Sequence, residues 1–142
     1  MPLNTNVAEV NIADQQNDPD SLWNHYQRLI GLRQTHGVLR HGGWLALPTS
    51  TQSVYATLRH DENTAILTVI NVSNRPMSDY VIEFSQVDLP NLLGEERWVV
   101  EDVLMGGAVR NVRVTEAGWE DYQPSPELAP LSSHVVLLEN AP

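Results

Sequence analysis

Asp18-Pro19-Asp20-Ser21-Leu22-Trp23-Asn24-His25-Tyr26-Gln27-Arg28-Leu29-Ile30-Gly31-Leu32-Arg33 reads as one capped helix. Asp18 has the side chain of an N-cap, and Pro19 fits the first helical position, where its missing N–H costs nothing. Asp20 then falls in the first turn, against the positive end of the helix dipole. Gly37 supplies the stop. At ~100° per residue, Leu22, Tyr26, Leu29 and the stem of Arg33 share one line. Trp23 and Ile30 flank it on one side, His25 and Leu32 on the other. The apolar arc is roughly 180° wide, against the ~100° stripe of a surface helix with one partner. Such a helix asks for two neighbours: the domain that follows, and another outside these residues. The competing reading is a single helix set deeply against one sheet. Met1 to Asn17 is polar, lacks a sustained period and reads as loop.

Downstream the pattern changes to strands. Gly43 to Leu47 is short and stops at Pro48. Ser53 to His60 alternates Val54, Ala56 and Leu58 against Tyr55, Thr57 and Arg59, as a half-buried strand should. A turn at Asp61 to Thr64 leads into Ala65 to Val72, almost wholly apolar and β-branched, which reads as the central strand of a hairpin. Tyr80 to Phe84, Arg97 to Leu104, Val109 to Val114 and His134 to Leu138 complete seven short strands, with a long acidic, proline-bearing loop over residues 118–130. Strands with turn signals and no intervening helices indicate a mainly β fold, an antiparallel Greek-key sandwich, over residues 38–142. Residues 1–37 form a separate leading segment.

Composition narrows the function classes. A chain of 142 residues that is 42% hydrophobic has enough apolar surface for a globular core. Its net charge of -10, with only 8 basic residues, argues against nucleic acid and anionic membranes as partners. No cysteine is present, which removes disulfides, Cys-ligated zinc and thiol nucleophiles. No apolar run reaches the ~18 residues of a membrane span, and the first residues lack a signal-peptide layout. Asn71-Val72-Ser73 fits a glycosylation sequon, a triplet common by chance.

Catalysis or metal binding needs side chains that converge in pairs or clusters. Glu101 and Asp102 lie next to each other in a strand and point to opposite faces, so they do not converge on one bond. Asp61/Glu62, Glu95/Glu96 and Glu120/Asp121 fall in turns and loops, solvated and without the burial that tunes a catalytic carboxyl. His25, His36, His41, His60 and His134 show no metal-ligand spacing, and Asp14, Asp18 and Asp20 lack the calcium-loop pattern. Ser50, Ser53, Ser132 and Ser133 lack a nucleophile-elbow context, and Gly42-Gly43 and Gly106-Gly107 are turn glycines. No metal or cofactor is expected. Among aromatics, Trp44 and Trp98 sit in strand patterns and are expected in the core. Trp119 and Tyr122, in the acidic loop, are the residues expected to be exposed and able to stack on a sugar.

The run Pro2-Leu3-Asn4 … Asn11-Ile12-Ala13-Asp14, then Asp18-Pro19-Asp20-Ser21-Leu22 … Tyr26 … Leu29-Ile30-Gly31-Leu32-Arg33, resembles the end of the catalytic barrel in the α-amylase superfamily, glycoside hydrolase family 13. Ile70-Asn71-Val72-Ser73, Glu101-Asp102-Val103-Leu104-Met105-Gly106 and Leu131-Ser132-Ser133-His134-Val135-Val136-Leu137 are similar to strand ends, a turn and the closing strand of that family's all-β C-terminal domain. The resemblance implies that residues 1–37 are the last loop and helix of a (β/α)8 barrel, and that the nucleophile, acid/base and stabilising carboxylates lie upstream. The chain itself then carries no catalytic residue. Leu22, Trp23, Tyr26, Leu29 and Ile30 would pack on the absent barrel, which is the expected partner, and their open face would favour self-association. The alternatives are an independent module that binds α-glucan and a plain protein-interaction sandwich.

Overall fold

In the computed structural model, which describes residues 11–83, 98–107, 109–115 and 118–140, Ser21 rather than Asp18 opens the long helix. That helix, α2, spans Leu22–Thr35. It follows a short helix, α1, at Ile12–Asn17, inside the stretch expected to be loop. The signal for α1 was present: Asn11 caps it by accepting the Asp14 N–H at 2.9 Å. Asp18 closes α1 instead of starting α2, with its N–H bonded to the Asp14 carbonyl. Its carboxylate accepts the Asp20 N–H at 3.0 Å and turns the chain at Pro19. The cap passes to Ser21, whose hydroxyl accepts the Asn24 N–H and donates to the Gln15 carbonyl. Two caps three residues apart competed, and the one that also ties α2 to α1 won. Likewise the helix ends on His36, while Gly37 begins a further short helix, α3, at Val38–His41.

The chain divides into two compact units, Met1–His36 and Gly37–Pro142. In the second, the strands are β1 Gly43–Leu47, β2 Val54–His60, β3 Thr64–Asn71, β4 Trp98–Asp102, β5 Val114–Thr115, β6 Gly118–Trp119 and β7 Ser133–Asn140. Five of them form one antiparallel sheet in the order β1-β2-β3-β7-β4, and β5 pairs with β6. β7 therefore returns between β3 and β4. The mainly antiparallel architecture is the one the sequence pattern indicates. Leu45 opposes Leu58 and Leu47 opposes Ala56 across β1–β2, and Leu58 opposes Leu67 across β2–β3. Leu67 in turn opposes Val136 across β3–β7. This row, with Tyr80, Ile82, Tyr122 and Leu128, makes the core.

The layer facing the sheet is less regular than expected. Tyr80 and Ile82 are buried on one side as the alternation implies, yet among the described residues isolated bridges rather than a ladder pair this segment with its neighbours, Ile82 to Tyr122 and to Thr49 and Met77 to Leu128. Phe84 lies outside the described residues, as do Glu95 and Glu96. Val109 to Arg113 form no strand, although Val112 is buried. Proline and side-chain hydrogen bonds replace ladder pairing here. The Tyr80 hydroxyl donates to the Ser125 carbonyl at 2.7 Å, and the Tyr122 hydroxyl donates to the Arg110 carbonyl.

Asn71 fastens the end of β3. Its amide nitrogen donates to the carbonyls of Arg75 at 2.7 Å, Ala129 at 3.0 Å and Leu128 at 3.3 Å. Its amide oxygen accepts from the Ser73 N–H at 2.9 Å and hydroxyl at 2.8 Å. The residue is fully buried, so a buried polar group is satisfied on every side. The sequon at this position is a structural hub.

Candidate functional site

The apolar face of α2 is the candidate site. None of the helix's residues is buried. Leu22, Tyr26 and Ile30, at four-residue steps, are 66%, 58% and 55% exposed. With Trp23 and two residues outside the expected set, Gln15 and Gln27, they line one shallow groove of about 360 Å³. Leu29 is half-buried and is not part of that groove. The His25 ring meets Tyr26 edge-on, with centroids 6.4 Å apart.

Gln15 was missed because its segment read as loop. Its side-chain oxygen accepts the Trp23 N–H at 3.2 Å, and its carbonyl accepts from the Asn24 amide at 2.9 Å. Asn24 also donates to the Asp18 carbonyl at 2.7 Å, and Arg28 to the Pro19 carbonyl at 3.0 Å. The polar side of α2 is thus bound to α1 and the turn, which fixes the direction in which its apolar side faces.

Of the two residues considered for sugar stacking, Tyr122 has a described side chain. Tyr122, expected to be exposed, is only 4% accessible and belongs to the core. Its acidic, proline-rich surroundings suggested a surface loop, but the Ile82–Tyr122 bridge draws the ring inward. Burial pushes its phenol well above the usual tyrosine range, and the nearby Tyr80 adds to the effect. The Trp119 side chain lies outside what the structure describes, as does that of Trp98. Trp44, expected in the core, is instead 54% exposed. Leu45 and Leu47 take the inward positions of β1, and strand parity sends Trp44 to the opposite face.

The carboxylates fall as follows. Glu101 is exposed and Asp102 buried, on opposite faces of β4. The Asp61 side chain caps its own turn, accepting the N–H groups of Asn63 and Thr64. Asp102 accepts from His134 Nδ1 at 2.7 Å and from the N–H groups of Leu104 and Met105 at 3.0 Å. Burial works to raise its pKa, but the hydrogen bonds from His134, Met105 and Leu104 and the attraction of His134 outweigh it and hold the carboxyl below the usual value. Its lone pairs are engaged within the fold. Among the described residues, no group of three or more His, Cys, Asp or Glu could hold a metal ion, and no helix is long and apolar enough to cross a membrane.

A mainly antiparallel β-sheet with few helices is the fold of the C-terminal domain in glycoside hydrolase family 13 enzymes. The chain is similar in sequence to a part of enzymes named as oligo-1,6-glucosidases, a maltase and a trehalose-6-phosphate hydrolase. It is 32% identical over 75 residues to an oligo-1,6-glucosidase of Halalkalibacterium halodurans, covering 53% of this chain and 13% of that protein. It is 40% identical over 94 residues to Maltase 1 of Drosophila virilis, covering 66% of this chain and 14% of that protein. The crystal structure of Bacillus licheniformis trehalose-6-phosphate hydrolase superposes with a TM-score of 0.65 at 21% identity, over 99% of this chain and 22% of the enzyme, and shares its fold. No family model matches the chain. The chain thus spans less than a quarter of the length of these relatives.

Proposed function

We propose that this chain is the non-catalytic C-terminal part of an α-glucosidase-type glycoside hydrolase, and that it braces the enzyme's catalytic barrel. In this reading residues 1–37 are the last loop and helix of the barrel, and residues 38–142 are the all-β domain. Leu22, Trp23, Tyr26, Leu29 and Ile30 pack against barrel helices that precede them. The catalytic carboxylates belong to those preceding strands, because a retaining glycosidase holds its acid/base and nucleophile at the strand ends of the barrel.

The observation that carries the reading is the open apolar face of α2 on a helix whose polar side is already engaged. Burying a large side chain is worth roughly 1.5 to 3 kcal/mol, so Leu22, Tyr26 and Ile30 alone offer a firm anchor to a partner. The alternative of an independent sugar-binding module has lost one of its two aromatics, since the Tyr122 ring is buried.

The test has two parts. The chain alone should release no glucose from maltose or isomaltose above a blank. The polypeptide encoded in frame before Met1, expressed separately, should be captured by the chain, and Ile30→Glu should abolish capture. Glucose release by the chain, the absence of an upstream barrel, or capture indifferent to Ile30→Glu would each overturn the proposal.

A further inference from the structure

Asn71-Val72-Ser73 is the one Asn-x-Ser/Thr triplet in the chain. As sequence it is an acceptor for N-glycosylation, a modification of exposed positions in proteins that pass through a secretory compartment. The fold puts this acceptor at the opposite extreme. Asn71 is fully buried. The nitrogen that would carry the sugar, Nδ2, donates to three carbonyls at 2.7, 3.0 and 3.3 Å. The serine hydroxyl that completes the triplet is turned onto the same amide, donating to its oxygen at 2.8 Å. The backbone is engaged as well. The Asn71 N–H donates to the Ser132 carbonyl at 3.0 Å, and the Val72 N–H to the Ser53 carbonyl at 2.9 Å. In the folded chain Nδ2 is therefore out of reach of any transferase.

The unfolded chain offers the same triplet freely. Leu128 and Ala129, whose carbonyls cover the amide, follow it by 57 and 58 residues. At ~5–20 residues per second of chain growth, the triplet stays open for roughly 3–12 s before those partners exist. Transfer in that interval joins Nδ2 to the anomeric carbon of a lipid-linked oligosaccharide. The polyprenyl pyrophosphate leaves, and one amide hydrogen departs as a proton. The product keeps a single N–H for three carbonyls and carries a hydrated oligosaccharide into a site closed to water. We infer that glycosylation of Asn71 and folding of the β unit exclude each other, and that the protein matures where its growing chain meets no lipid-linked oligosaccharide donor. This exclusion follows from the surroundings of the amide alone and holds whether or not the chain braces a barrel.

The test is to produce the chain in eukaryotic cells with and without a signal sequence for the endoplasmic reticulum. Without the signal it should have the mass of the bare polypeptide and resist protease. With the signal it should gain one oligosaccharide, removable by peptide N-glycosidase, and give less protease-resistant protein by roughly tenfold or more. Ser73→Ala destroys the acceptor triplet but leaves the Asn71 amide and the Ser73 N–H in place, and should restore the yield of the routed chain. Tunicamycin, which blocks formation of the sugar donor, should do the same for the unaltered chain, and decides alone if Ser73→Ala is itself unfolded. A glycosylated chain that resists protease and melts with the unmodified one would show that the site houses the sugar. A routed chain that folds without acquiring the sugar would show that burial outpaces transfer. Either result overturns the inference.

Discussion

Asp102 and His134 meet carboxylate oxygen to ring nitrogen at 2.7 Å, as diagonal neighbours on the core-facing side of the β4–β7 pair. Asp102 stands directly opposite Val136, so His134 is two residues along the same face. The same carboxylate accepts from the turn after β4 and from the Val135 N–H at 3.4 Å. One side chain thereby closes a strand end, a turn and the start of β7.

Asp102→Asn should cost about 2–4 kcal/mol at neutral pH, because charged hydrogen bonds are lost and buried donors are left poorly matched. The pH dependence has a definite sign. The folded carboxyl titrates below its ordinary value, so its stabilisation is complete above the unfolded pKa of about 4 and is lost as pH falls toward the folded value. Urea unfolding followed from pH 7 down to pH 3 should show a steeper acid loss in the wild type than in Asp102→Asn. Parallel profiles would contradict this.

Asn71→Ala should destabilise the β unit by about 2–3 kcal/mol, since it removes a fully buried side chain that bonds the Arg75, Leu128 and Ala129 carbonyls and leaves the Ser73 N–H without its acceptor. Asn71→Asp keeps the acceptor but turns a carboxylate toward carbonyl oxygens, and should be no better. Thermal denaturation of both variants checks this, and a melting temperature within a degree or two of wild type for either would refute it.

Tyr80 shares the alkaline limit with Tyr122, whose phenol is raised in the same direction. Burial raises the Tyr80 phenol to about 12, against the lowering effects of the Ser125 hydrogen bond and of Arg110. A raised folded value keeps the neutral form bound in the fold, so stability is intact below the unfolded pKa of about 10 and falls as pH climbs from there toward the folded value. Tyr80→Phe should flatten the stability profile between pH 10 and pH 12. A slope equal to that of the wild type would argue against it.

Gly42 is held by its surroundings. A Cβ there would lie 2.5 Å from the Val38 carbonyl oxygen and 2.8 Å from that of His60. Both are backbone atoms, so relief requires moving α3 away from β2. Gly42→Ala should cost about 1–3 kcal/mol, read as a lowered urea midpoint, whereas Gly31→Ala, where nothing lies within 4 Å, should not destabilise. Equal effects at the two glycines would remove the steric account.

Much of this was legible in the residues. Period-two alternation in Val54 to His60 and the β-branched run after Thr64 located β2 and β3 to within a residue, because each strand carries its own hydrophobic pattern. The breadth of the apolar face of α2 was readable for the same reason. Long-range competition was not. Asp18 and Ser21 are both good caps, and only the return hydrogen bonds to Gln15 select Ser21. Tyr122 sits among acidic residues and prolines, and its burial depends on a bridge to Ile82, forty residues away. The Asp102–His134 pair was visible as two separate residues, and joining them required the β4–β7 register. Trp44 is different: strand parity against Leu45 and Leu47 already pointed it outward, and strand membership alone was too weak a reason to place it in the core.

The position of β7 has a consequence for synthesis. Since Ser133–Asn140 lies between β3 and β4, a ribosome that has reached residue 130 has made four of the five strands of the main sheet yet cannot join the first three to the fourth. The β unit therefore closes as a late event, dominated by contacts distant in sequence. A stop codon anywhere before residue 133 should leave a translation product with two raw strand edges, prone to clumping and prompt degradation.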